Sequence, residues 1–160
     1  NAMAGTRAKE NDKVEVPTFP KSAADLNPWM NSVIDAISAC GRVPDDAYQW
    51  ALRVEKEDVT FEEMGRCTPE FASLDAKLRT ALTRFTVGEH ANKHRDLAHE
   101  ILKRTEELKK QDTQIRGRQI LLTVRRYYEI SREKRILFEL NQLQAVTYPG
   151  DSNISEFKYS

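Results

Sequence analysis

Ile115–Ile130, IRGRQILLTVRRYYEI, is the densest apolar run in the chain. Ile120, Val124 and Tyr127 follow i, i+4, i+7 spacing, while Leu121, Thr123 and Tyr128, with Leu122 in the same run, widen that stripe past half the helix circumference. A helix apolar on so much of its surface has to be covered by several others. The stretch therefore predicts the central helix of an all-α domain.

Working outward, Ile136, Leu137, Leu140, Leu143 and Val146 predict a further amphipathic helix. Tyr148-Pro149-Gly150-Asp151 reads as a breaker after it, and Ile154 and Phe157 as the start of another element. On the other side, Leu97, Ala98, Ile101, Leu102 and Leu108 form a narrow stripe under a charged face. That predicts one long exposed helix over 89–111. Its heptad rhythm is interrupted at His94, Thr105 and Asp112, too soon for a coiled coil. Gly117 offers a break, and a hinge, between this helix and the buried one.

The amino-terminal half supplies the covering helices. Asn27 as N-cap and Pro28 at the first helical position open a helix with Met30, Val33, Ile34 and Ile37 on one face and Gly41 as a left-handed stop. Trp29 beside that face either anchors the first turn or meets a partner, anchoring being preferred. Pro44 opens a second helix, with Asp45 and Asp46 set against its dipole. Ala47, Tyr48, Ala51 and Leu52 are expected inward, flanked by Trp50 and Val54. Thr60-Phe61-Glu62-Glu63 fits a capping box for a short third helix reaching about Arg66. Thr68-Pro69 then starts four turns carrying Phe71, Leu74, Leu78, Ala81, Leu82 and Phe85, ended by Gly88. The expected fold is all-α, a compact bundle of about six to seven helices without a sheet. Residues 25–160 form one domain, or two helical subdomains meeting near 88–117. Residues 1–24 read as a tag remnant (Asn1-Ala2 ahead of Met3) and a flexible arm, on which Val14, Val16 and Phe19 offer docking points.

Composition bounds the function. Hydrophobic residues make up 39% and charged residues 31%, and the formal net charge is zero, so no global field draws the chain to nucleic acid or membrane. No apolar run approaches the ~20 residues of a membrane span, and no secretory signal pattern is present. A soluble, cytoplasmic protein is the expectation. Cys40 and Cys67 read as isolated thiols of a reducing compartment, acting as small buried hydrophobes, with a single disulfide as the alternative.

His90 and His94 stand at zinc-ligand spacing, but no glutamate lies between them and His99 falls off their face, so solvated or partly buried histidines are expected. The six glycines build no phosphate loop. The carboxylate pairs Asp45/Asp46 and Glu62/Glu63 sit at helix N-termini, where the dipole accounts for them. No nucleophile, base and orienter assemble. No enzyme, cofactor, metal or small-molecule substrate is expected.

Charge is distributed unevenly. Between Pro44 and Asp75 acidic residues outnumber basic ones by six, and between Lys103 and Arg135 the basic residues lead by six. Two such halves can attract copies head to tail, or the basic half can sit on RNA phosphates through Lys109, Lys110, Arg116, Arg118, Arg125 and Arg126. Two solvated faces are the plain alternative.

Four stretches carry a resemblance: LNPWMNSVIDAI (26–37), GRVPDDAYQWALRVE (41–55), SLDAKLRTAL (73–82), and GRQILLTVRRYYEIS (117–131) with the Leu-rich segment and Tyr-Pro-Gly-Asp after it. Across roughly 17–157 the chain resembles the Gag capsid region of copia-type LTR retrotransposons, particularly those of algae and related protists. The resemblance implies a helical structural protein that self-assembles into particles enclosing the element's RNA and replication enzymes. The Cys-x2-Cys-x4-His-x4-Cys knuckle that often follows such domains is absent. RNA binding would then fall to a segment downstream or to the basic helices, and self-association is the stronger expectation. A helical RNA-binding module, or an adaptor that binds a partner through 89–111, are the alternatives.

Overall fold

The computed structural model describes residues 9–151. It contains seven α-helices and, among the described residues, no strand: α1 (Leu26–Cys40), α2 (Pro44–Leu52), α3 (Phe61–Met64), α4 (Pro69–Thr83), α5 (Gly88–Lys93), α6 (Arg95–Lys109) and α7 (Gly117–Asp151). Short 3-10 turns lead into α1 and follow α2 and α4. Among the described residues no helix is long and apolar enough to cross a membrane. The first four turns of α7 are the centre. Ile120, Leu121, Leu122 and Val124 have no exposed surface, and α1, α3, α4 and α6 all pack against this helix. The all-around apolar pattern of 120–128 demands that arrangement, because each uncovered aliphatic side chain would forgo about 1.5–3 kcal/mol of burial.

The buried faces of α1 (Met30, Val33, Ile34, Ile37) and α4 (Leu74, Leu78, Ala81, Leu82) follow their helical spacing. Trp29 is an anchor: it is 5% exposed and its Nε1 donates to the Pro17 carbonyl at 3.0 Å. Thr60 caps α3 as the capping box requires, its Oγ1 accepting from the Glu63 N–H at 3.0 Å.

Other expectations are corrected. Helix α1 starts at Leu26 with Asp25 at the N-cap, ahead of Asn27, because a 3-10 turn over Ala23–Asp25 already directs the chain into the helix. Gly41 is extended (φ −70, ψ 159), not left-handed. What it supplies is space, since a Cβ there would stand 2.6 Å from that of Ala47, where α2 crosses α1. In α2 the inward stripe is Ala47, Trp50, Ala51 and Val54, while Tyr48 is 42% exposed, so the two aromatics exchange roles. Cys40 is buried, but Cys67 is half-exposed, and both are free thiols. The segment 89–111 is not one helix. It breaks at His94 (φ −132, ψ 52), whose ring packs edge-on to Phe19 at 5.8 Å, and the turn aims Leu97, Ala98 and Ile101 into the core. Gly88, with φ +65, begins α5 instead of ending α4. Downstream, the helix predicted over 136–146 is continuous with α7, which passes Tyr148-Pro149-Gly150 and ends at Asp151. Pro149 stands in the last turn, where the one ladder bond it removes frees the carbonyl of Ala145, an exposed residue that water can serve. Ile154 and Phe157 lie outside the described residues.

Residues 9–20 of the arm are laid along the domain. Phe19, 2% exposed, is wedged between Trp29 and Phe85, with ring centroids 6.1 and 5.4 Å away. Val14 is buried and Val16 packs against the core. Tyr128 donates its hydroxyl to the Pro20 carbonyl, and burial pushes its pKa up to about 12. Farther out, the Glu10 carboxylate accepts from Lys77 Nζ at 2.5 Å and Ser73 Oγ at 2.6 Å, and the Asn11 N–H from this strap reaches the Cys40 carbonyl at 3.0 Å.

Where α7 begins, the loop after α6 delivers Gly117 against α4. The Asp75 carboxylate accepts the N–H groups of Gly117 (2.8 Å) and Arg118 (3.1 Å), so a residue of one helix caps another. Gln119 completes the cap, its Oε1 accepting from the Arg116 N–H at 2.8 Å while its Nε2 donates to the Phe61 carbonyl at 3.1 Å. A Cβ on Gly117 would lie 2.7 Å from the Asp75 carbonyl and 2.9 Å from the Arg79 nitrogen. The expected hinge is therefore a close-packed joint.

Asp75→Ala leaves two buried N–H groups without acceptors and should cost about 2–4 kcal/mol in urea unfolding, with Gly117→Ala destabilising as well through its backbone clash. Burial pushes the Glu10 carboxyl up, but its bonds to Lys77 and Ser73 outweigh this and hold it below the ordinary value of 4.5. Folding thus lowers its pKa, so the stability it contributes is full above pH 4.5 and is lost as the pH falls below it. Glu10→Gln should flatten the acid side of the stability curve, measured by urea midpoints.

Candidate assembly surface

The six basic residues singled out by charge do not share a surface. Lys109 is exposed, with Nζ 3.5 Å from Glu106, and Lys110 is exposed beside it. Arg116 is half-buried at the start of α7. Arg118, Arg125 and Arg126 point into the domain and bind carbonyl oxygens of α2 and of the segment between α2 and α4. Arg118 Nη1 donates to Trp50 O at 3.0 Å and Nη2 to Arg66 O at 3.2 Å. Arg125 Nη1 donates to Val54 O (2.8 Å) and Lys56 O (3.1 Å), and Arg126 Nη2 to Val59 O (2.6 Å). Guanidinium groups are suited to such bonds, because their planar donors reach several carbonyls at once and charge strengthens each contact.

Arg118 is 9% exposed and lies 4.7 Å over the Trp50 ring, which in turn stacks on Phe71 at 5.2 Å. Burial lowers its pKa from the usual arginine range, against the attraction of Asp75, whose own carboxyl burial pushes up. Around this core the acidic segment is paired internally. Glu63 holds Arg53 through two bonds (2.5 and 2.7 Å) and Asp58 adds a third at 3.0 Å, keeping both carboxyls below the usual range. Two carboxylates of the acidic segment are thus taken up by that segment's own Arg53.

The histidines are apart in function. His90 packs edge-on to Phe85 at 5.1 Å and His94 to Phe19, while His99 lines a cleft between α6 and α7. Burial pulls the His94 imidazole below its ordinary value.

What does stand on the surface is apolar. Beyond the bundle, every residue of α7 from Arg132 to Ala145 is exposed. There and at the bundle's edge Ile130, Ile136, Leu137, Phe138 and Leu140 each leave 49–61% of their surface uncovered. Burying large aliphatic side chains is worth about 1.5–3 kcal/mol each, so a row of them left bare on one helix is a candidate contact surface. Spacing had marked Ile136, Leu137 and Leu140 as one face of a packed helix but carried no signal that the bundle stops short of them. Beside Ile130 opens a cleft of about 650 Å³ between α3, α6 and α7, with Phe61, Leu122 and Tyr127 among its lining. The Arg104 guanidinium lies 4.8 Å over the Phe61 ring at its wall. Comparison with protein-family models, with curated proteins and with solved structures finds no match for this chain.

If Arg125 and Arg126 hold the fold, Arg126→Ala should lower stability by about 1–3 kcal/mol through the orphaned Val59 carbonyl. An RNA contact would instead leave the unfolding midpoint unchanged and lower affinity alone.

Proposed function

We propose that this protein is a structural, self-associating helical module of the Gag capsid type, whose copies join through the exposed half of α7. The observation that carries the reading is the row Ile130, Ile136, Leu137 and Leu140 on a helix of 35 residues whose first turns are locked in the core. A locked root turns the outer turns into a rigid arm, so an apolar row there is presented in a fixed direction. The zero net charge supports close approach of identical copies. The four stretches that resemble copia-type Gag favour shells or particles as the product, with RNA packaging as the role of the assembled particle. The RNA-binding alternative loses ground because three of its six donors are spent on carbonyls within the domain.

Because the exposed outer turns of α7 carry large aliphatic side chains, association in this reading rests on apolar burial. Light scattering across roughly 10–500 µM protein should show oligomers that persist or grow as salt rises from about 50 to 500 mM, where surface ion pairs are screened. A monomer throughout that range defeats the proposal, and dissociation by salt would assign assembly to the charged faces.

A further inference from the structure

We infer that the cleft between α3, α6 and α7 is the receptor for the exposed ridge of α7 from a second copy, so that two copies dock reciprocally about a two-fold axis crossing α7. This rests on the self-association reading and specifies its contact.

Ridge and receptor are both present in the chain. The receptor offers the apolar surface of Phe61, Tyr127 and Ile130 above the buried Leu122, with a volume of about 650 Å³, in the range of sites that seat an apolar group. The ridge is Ile136, Leu137 and Leu140, exposed by 49%, 60% and 51%. Leu122, Ile130, Leu137 and Leu140 are spaced by eight, seven and three positions, so they run as one line along the helix from cleft to ridge. Within one copy the ridge cannot enter the cleft. Both lie on the same helix, with Ile130 and Leu140 about 15 Å apart along its axis, and a straight helix does not fold back on itself.

A second copy running antiparallel removes that constraint. Its ridge meets the first copy's cleft, and symmetry places the first copy's ridge in the second cleft. The contact made once is made twice, which closes a dimer as the unit from which any larger particle is built. Charge permits it: the cleft is edged by Asp96, Glu100, Arg104 and Lys134, and the ridge by Glu133, Lys134, Arg135 and Glu139, so each rim carries both signs.

The test uses two variants and their mixture. Leu140→Lys disables the ridge and Ile130→Glu disables the cleft. Both positions are more than half exposed, and thermal melts followed by circular dichroism establish that each variant folds. Sedimentation equilibrium should show dimerisation weakened at least tenfold in each variant alone. The mixture should recover to within about tenfold of wild type, because the heterodimer keeps one native contact and sets Lys against Glu in the other. His99→Trp, which narrows the cleft mouth without touching the ridge, should weaken dimerisation too. If Leu140→Lys abolishes association while Ile130→Glu and His99→Trp leave it intact, ridges pack on ridges, and the receptor is overturned while self-association stands. If neither variant nor wild type associates at all, both readings fall together.

Discussion

The capping of α7 by Asp75 is the contact on which the rest of the molecule depends. A carboxylate from the middle of α4 accepts the first two N–H groups of α7, and Gly117 brings the two backbones close enough for it to do so. That one joint fixes where the central helix starts and how it rotates. Its rotation decides which residues become core (Ile120, Leu121, Leu122, Val124) and which reach the loops above (Arg118, Arg125, Arg126). Burial of a carboxylate is unfavourable in itself, and burial does push the Asp75 pKa up. The two N–H bonds at the positive end of a helix offset that cost.

The joint also explains the fate of the basic segment. Once α7 is seated, its arginines face the end of α2 and the stretch that leads from it to α4. Arg118, Arg125 and Arg126 satisfy the carbonyls of Trp50, Val54, Lys56, Val59 and Arg66. The charges act as staples between a helix and a loop-rich segment. The acidic residues near them are drawn onto Arg53. Three cations of the basic segment are thus drawn inward, while Asp45, Asp46, Glu57, Glu62 and Glu70 of the acidic segment and Lys103, Lys109 and Lys110 of the basic one stay exposed.

Beyond the bundle α7 presents large apolar side chains among its charged ones. A helix held at one end over four turns carries its remaining turns beyond the bundle, and the row from Ile130 to Leu140 rides on them. The helix is thereby divided: its first half is buried in the core, and its second half stands clear of it, so substitutions in the outer half leave the core untouched.

By itself the amino-acid order determined that the chain is helical and which faces α1 and α4 bury, though not the face of α2 or the break at His94. The apolar spacing of 120–128, the Pro44 and Pro69 starts and the Thr60 cap are local rules, satisfied within a turn or two of chain. Tertiary structure alone decided what covers each face. Helical periodicity marks 136–140 as amphipathic whether that face meets its own bundle or nothing, and only the length of the covering helices left it bare. The role of Asp75 was hidden among eight other acidic residues of 44–75, because its partners lie forty-two and forty-three positions away. A pair of N–H groups leaves no mark in sequence, although Gln119 three positions after Arg116 was a readable capping signal. Lysines and arginines are solvated by default, so nothing local distinguished Arg118, Arg125 and Arg126 from Lys109 and Lys110. The close approach of α7 to α4, permitted by a glycine, turned three of those side chains inward.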